Sequence, residues 1–169
     1  MTADHEQRTL LPIVAGGLTA ATLDAAVAFF SVGSGMPRYI ASGLLGASAL
    51  HGGAGVWILG LVLHYCILLV AAAIYGFSSW KLPFLRVNFV VCGVFYGIAI
   101  YLVMHLIVLP LSAFPLPVGP FKVFTLIRDI TTHMVVVGLP IALSFRLLSV
   151  PRSGLAVRNH QDSNALPQS

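Results

Sequence analysis

An all-α membrane protein is the fold class this sequence predicts: four transmembrane helices in a bundle, with a short interfacial or re-entrant helix at about residues 38–50. Three observations predict it. Only 8% of the 169 residues are charged and 58% are hydrophobic, whereas a soluble domain carries about 25% charged residues. Four apolar runs, at about 10–32, 56–76, 87–111 and 130–148, approach or exceed the length that crosses a hydrocarbon core of roughly 30 Å. Glycine and proline clusters separate the runs, so the chain is punctuated where a bundle needs turns. The length suits one compact unit.

Residues 1–9 read as a short polar tail. They lack the basic opening of a secretory signal, and the apolar run after them exceeds the usual length of a signal's core, so the tail is expected to be retained. The first span, Leu10 to Val32, holds one charge, Asp24. Gly16, Ala20, Asp24 and Ala28 are spaced by four, which places the carboxyl on the small-residue face of the helix. Gly33-Ser-Gly-Met-Pro37 ends that span. Arg38 to Leu50 has helical character but is too short to cross, so it lies flat or dips in under the cover of protein. His51-Gly-Gly-Ala-Gly55 is a joint.

The second span, Val56 to Gly76, carries His64 with Gly60 one turn before it, and Trp80 and Lys81 mark its exit at the headgroups. Pro83 and Arg86 make a short connection. The third span, Val87 to Leu111, contains no Asp, Glu, Lys or Arg. Gly93, Gly97, Tyr101 and His105 recur along it at intervals of four, so two bare patches of backbone lead to a phenol and an imidazole on one face. Small residues in this pattern let helices approach closely in lipid, and the Gly93-x-x-x-Gly97 face is read as internal packing. Pro110, Pro115, Pro117 and Pro120 then impose a stiff, apolar link along the membrane surface. The last helix runs to Ser149, with its first turns around Lys122 protruding and 130–148 embedded. Pro140 within it frees the carbonyl of Val136 and predicts a kink. Residues 150–169 are polar and read as a disordered cytoplasmic tail.

Four spans put both termini on one side. That side carries Arg8, Lys81, Arg86, Arg146, Arg152 and Arg158, the other only Arg38, Lys122 and Arg128. The positive-inside rule then predicts a bacterial inner-membrane protein with both termini cytoplasmic. Depth follows from counting residues. Asp24 falls about 12 Å below the outer end of its span, His64 about 13 Å, His105 about 8 Å, and His133 one turn into the last span. Asp129 precedes His133 by four residues, hence on the same face. Asp24, His64, Tyr101, His105, Asp129 and His133 are therefore predicted to form a polar cluster in the outer half of the bundle. Gly16, Ala20, Gly60, Gly93 and Gly97 are the predicted packing positions.

Ionisable groups inside spans are costly and usually face protein or one another. The reading these residues favour is a structural or partner-binding cluster. A metal site would draw on Asp24, His64, His105 and His133. Haem b would need His64 and His105 opposed, with Gly60, Gly93 and Gly97 making room. A proton or small-solute conduit would use Asp24 and the histidines as a relay. Apart from the lipid bilayer, a second copy or another membrane protein is the partner expected. The formal charge of +4 does not imply nucleic acid, because the nine Lys and Arg residues are scattered through connections and tail. Cys66 and Cys92 fall in separate apolar runs outside any C-x-x-C and read as apolar fillers. No nucleophile elbow and no phosphate-cradling glycine loop occurs, so no enzyme is predicted.

A resemblance adds to this. Gly17-Leu-Thr19, Leu23-Asp24, Ile40-Ala-Ser-Gly-Leu-Leu-Gly46, Gly60-Leu-Val-Leu-His64, Tyr96-Gly97, Tyr101-Leu-Val-Met104, Leu109-Pro-Leu-Ser112, His133 and Gly138-Leu-Pro-Ile-Ala142 are motifs of this kind. On them the chain resembles small bacterial inner-membrane proteins of the YagU-like family over about residues 13–146. The resemblance implies a four-span bacterial membrane protein and brings no established activity. It also implies that Asn can stand at position 105, which speaks against His105 as an obligate ligand.

Overall fold

The computed structural model describes residues 2–115 and 123–149, which are 89% helical with no strand. Four helices are long and apolar enough to cross a membrane: α1 (Thr2–Val32, apolar from Leu10), α3 (Ala54–Lys81), α4 (Phe89–Leu111) and α5 (Val123–Leu148). Between α1 and α3 lie the short helix α2 (Met36–Leu45) and a single 3-10 turn, Ala47–His51. A one-turn helix, Phe84–Val87, joins α3 to α4. The expected polar tail is helical from Thr2 as part of α1. The proline link beyond Pro115 and the tail from residue 150 lie outside the described residues.

The turns have plain causes. Gly33 and Gly46 end α1 and α2 at φ +82° and +72°, the left-handed geometry that closes a helix and that residues with a Cβ avoid. Pro37 sits in the first turn of α2, where a missing N–H costs nothing.

α1 is the central strut. It packs against α3 on one side and α5 on the other, while α4 packs chiefly on α5 and α2 on α3. Four small residues make this possible. A Cβ on Gly17 would meet Leu69 and Ala72 of α3, one on Gly16 would meet Ser144 and Ile141 of α5, and Ala20 and Ala21 are fully buried. Gly60 lets α2 in, since a Cβ there would overlap the Pro37 carbonyl. The larger core residues, Leu68, Tyr75, Val137, Ile141 and Phe145, fill the space where α1, α3 and α5 converge.

α4 and α5 approach backbone to backbone. A Cβ on Gly93 would stand 3.0 Å from the Gly138 oxygen, and one on Gly97 would stand 2.5 Å from the His133 oxygen and 2.6 Å from the Met134 Cα. The glycine stripe of α4 is thus spent inside the protomer.

Pro110 and Pro140 do not break their helices. Each is preceded by a wide turn, Met104–Val108 in α4 and His133–Gly138 in α5, in which hydrogen bonds span five residues. Leu109 N–H donates to the Met104 oxygen and Leu139 N–H to the Met134 oxygen. A proline ring clashes with the carbonyl four residues back, here Leu106 and Val136, and supplies no N–H to it. Widening the preceding turn is one of the few ways a helix absorbs that. The third span ends at Leu111, one residue past Pro110, as the proline link predicts, while at Pro140 the helix continues through this local unwinding.

Gly97→Val tests the close approach of α4 and α5. The added atoms have no space between backbones, so reversible unfolding in detergent should show a loss of about 3 kcal/mol or more. Gly55→Ala, at an open position in α3, should be neutral or stabilising by up to about 1 kcal/mol.

Candidate functional site

The predicted polar residues resolve into two groups and a recess between them. In the first, α1 and α3 run antiparallel and bring His64 against one turn of α1. The His64 ring is buried, its Nε2 lies 3.0 Å from the Ala21 oxygen, and the Asp24 Oδ2 is 3.9 Å from the same nitrogen. A carbonyl only accepts, so Nε2 carries hydrogen and donates to Ala21. Asp24 is too far for a second hydrogen bond and acts on His64 through charge alone. Tyr65, the next residue, stacks edge-on to His64, and its hydroxyl pairs with Thr22 at 3.1 Å.

The second group lies where α4 meets α5. Tyr101, buried, stacks on His105 at 4.0 Å between ring centroids and meets His133 edge-on at 5.3 Å. Both histidines use Nδ1–H to donate back to the carbonyl four residues earlier. His105 reaches Tyr101 at 3.0 Å, and His133 reaches Asp129 at 2.9 Å. Their Nε2 atoms therefore hold the lone pair in the neutral form. The second of these contacts joins Asp129 and His133, whose four-residue spacing the sequence shows. Arg128 closes the group, with its Nε 2.9 Å from the Asp129 Oδ1.

Between α1 and α5 opens a recess of about 190 Å³, lined by Asp24, Val27, Ala28, Ser31, Val32, Arg128, Asp129, Thr132 and His133. Here a titratable side chain of the first group and those of the second share a space. Arg128 and Asp129 give it a charged rim; their side chains are 54% and 29% exposed, against 17% for Asp24.

No family model, curated protein or solved structure matches the chain.

The geometry of the site does not fit the metal and haem alternatives. Among the described residues, no three His, Cys, Asp or Glu side chains lie close enough to hold one metal ion. His64 turns its Nε2, the atom a haem would ligate, to the Ala21 carbonyl in the contact of α1 with α3. His105 is engaged instead on α4 against Tyr101. Cys66 and Cys92 are free thiols, the first exposed on the outer face of α3.

Sequence reasoning missed the hydrogen bonds that tie the helices to one another. Ser144 Oγ lies 2.9 Å from the Pro12 oxygen and 2.7 Å from the Ile141 oxygen, linking α5 to α1. Tyr96 donates to the Ala71 oxygen of α3 at 2.6 Å, and Tyr75 to the Leu85 oxygen at 3.0 Å. Trp57 Nε1 donates to the Ser34 oxygen and Arg38 Nε to the Gly52 oxygen, fixing the α2 hairpin. At the other end Arg86 gives two hydrogen bonds to the Ser79 carbonyl, and Arg146 lies over the Phe89 ring. None of these hydrogen bonds has a sequence signature, because each acceptor is a main-chain carbonyl. His51 is exposed at the joint before α3 and takes no part in the site.

Tyr96→Phe removes one such tie while keeping the ring. Measured by reversible detergent unfolding, it should cost about 0.6 kcal/mol, the mean for interhelical hydrogen bonds in bilayers. His64→Ala should cost several times more, because it opens a void as well.

Proposed function

We propose that this is a multi-pass protein of a bacterial inner membrane, with both termini cytoplasmic, and that it works as a binding module rather than as a catalyst. Its partner or ligand occupies the recess between α1 and α5. The observation that carries the reading is the Asp24 carboxylate. It faces the recess from the middle of a span and accepts no hydrogen bond from the described residues. Polar groups elsewhere in the bundle have their work in holding helices together. Tyr75, Tyr96, Ser144 and His64 each make a hydrogen bond to a carbonyl. An ionisable side chain inside a span that secures nothing is the mark of a ligand or ion site.

The orientation rests on the six basic residues of one side against the three of the other. It places the recess in the outer half, open toward the periplasm. Kinship with the YagU-like proteins is part of the same proposal and is supported by the motifs around Asp24, His64, Tyr101 and His133.

A proton or solute conduit is the second reading, favoured by the Asp24–His64 approach at 3.9 Å. It would need a continuation from His64 to the cytoplasmic end. The residues on that side, Leu68, Ala71 and Ala72, are buried and apolar, so the binding module is preferred.

Cysteine accessibility tests the reading. In a background of Cys66→Ala and Cys92→Ala, Ala28→Cys should react with a membrane-impermeant thiol reagent added to the outside of spheroplasts. Phe30→Cys, 94% exposed but on the lipid-facing side of α1, should stay unmodified although it is nearer the end of the span. Protection of Ala28→Cys, or its reaction only from the cytoplasmic side, would contradict the proposal.

A further inference from the structure

We infer that the recess takes a primary ammonium group, carried by a small amine or by an ethanolamine lipid headgroup. The inference rests on the binding-module reading and names its ligand class.

Charge balance is the first argument. Arg128 Nε and Nη2 both lie 2.9 Å from the Asp129 Oδ1, so that pair is neutral as a unit. The Asp24 carboxylate has no Lys or Arg partner among the described residues, only the His64 ring at 3.9 Å, at a depth where a charge lacking a full partner is costly. A cation is the complement.

Hydrogen-bonding capacity narrows the cation. The lining residues are rich in acceptors: the carboxylates of Asp24 and Asp129, the hydroxyls of Ser31 and Thr132, and the His133 imidazole. The neutral His133 ring keeps its lone pair on Nε2 because its Nδ1–H is committed to the Asp129 carbonyl. The donor that comes nearest Asp24, His64 Nε2–H, is given to Ala21. An R–NH₃⁺ group brings three N–H donors and no acceptor, which matches this set.

Size and lining exclude the neighbouring classes. No trio of ligands converges among the described residues, so a bare divalent ion has no coordination shell. A quaternary ammonium is usually held by the faces of Trp, Tyr or Phe, and none of these lines the recess among the described residues. An anion would face two carboxylates. At about 190 Å³ the recess exceeds the needs of a single ion and suits a small group.

Purified protein in dodecyl maltoside, titrated at constant ionic strength with ethanolamine and with choline, tests this by thermal shift and saturation-transfer NMR. Ethanolamine should bind saturably and raise the Tm, with choline at least tenfold weaker. Asp24→Asn should weaken ethanolamine at least tenfold, and Asp129→Asn, which leaves the intramembrane core untouched, should weaken it severalfold. The same variants in nanodiscs distinguish the source of the amine. A Tm higher in phosphatidylethanolamine than in phosphatidylcholine, lost in Asp24→Asn, assigns the lipid headgroup; binding of free ethanolamine alone assigns a soluble amine. Either supports the inference. Equal affinity for choline and ethanolamine, or Asp24→Asn indistinguishable from wild type in both settings, overturns it. If that happens while Ala28→Cys remains open to the outside reagent, the binding-module reading survives and only the ligand class falls.

Discussion

The bundle depends on how narrow α1 is along one strip. In lipid, apolar side chains gain nothing by leaving water, so helices associate through close packing and interhelical hydrogen bonds. Gly16, Gly17, Ala20 and Ala21 supply the close packing on two adjacent faces, one toward α5 and one toward α3. With bulkier residues there, Ser144 could not approach the Pro12 carbonyl, nor His64 the Ala21 carbonyl. Those two ties hold three of the four spanning helices in register. α4 joins by the same device used a second time, glycine against glycine with α5.

Placement of the recess follows from this arrangement. Asp24 lies one turn beyond Ala20 and Ala21 on the helix that packs against both α3 and α5. On α5, the wide turn that absorbs Pro140 begins at His133. A five-residue turn shifts the side chains that precede it relative to a regular helix, and Asp129, Thr132 and His133 line the recess just there. The second wide turn, ahead of Pro110, contains His105 and adjoins Tyr101. Two prolines that break the helical hydrogen-bond pattern thus follow, by five and seven residues, the two histidines that face Tyr101. The local irregularity and the polar chemistry occupy the same layer of the bundle.

Much of this architecture was legible in the sequence. The apolar runs give the four helices, because length and composition leave no other way to satisfy so much backbone in lipid. The four-residue spacing of Gly16, Ala20 and Asp24 gives the inward face of α1, and Gly93 with Gly97 marks a close contact. What the spacing cannot give is the partner. It does not say that Gly97 meets the His133 backbone, or that His64 serves Ala21 while Asp24 is left over. The six predicted residues make two sets of direct contacts, His64 with Asp24 and Tyr101 with His105 and His133, and Asp24, Asp129 and His133 share the recess. Leu-Pro in both α4 and α5 reads as a stop or a kink. A wide turn is another way to accommodate the ring, and the local pattern does not distinguish it from those two.

The inward aspect of Asp24 is the claim on which the site depends. A nitroxide label at position 24, compared with one at the exposed neighbour Leu23 in reconstituted bilayers, measures it by collision with oxygen and with a water-soluble nickel chelate. The account predicts low oxygen accessibility and detectable chelate contact at position 24, with the reverse at position 23. Equal, high oxygen accessibility at both positions would place residue 24 among the acyl chains and contradict it.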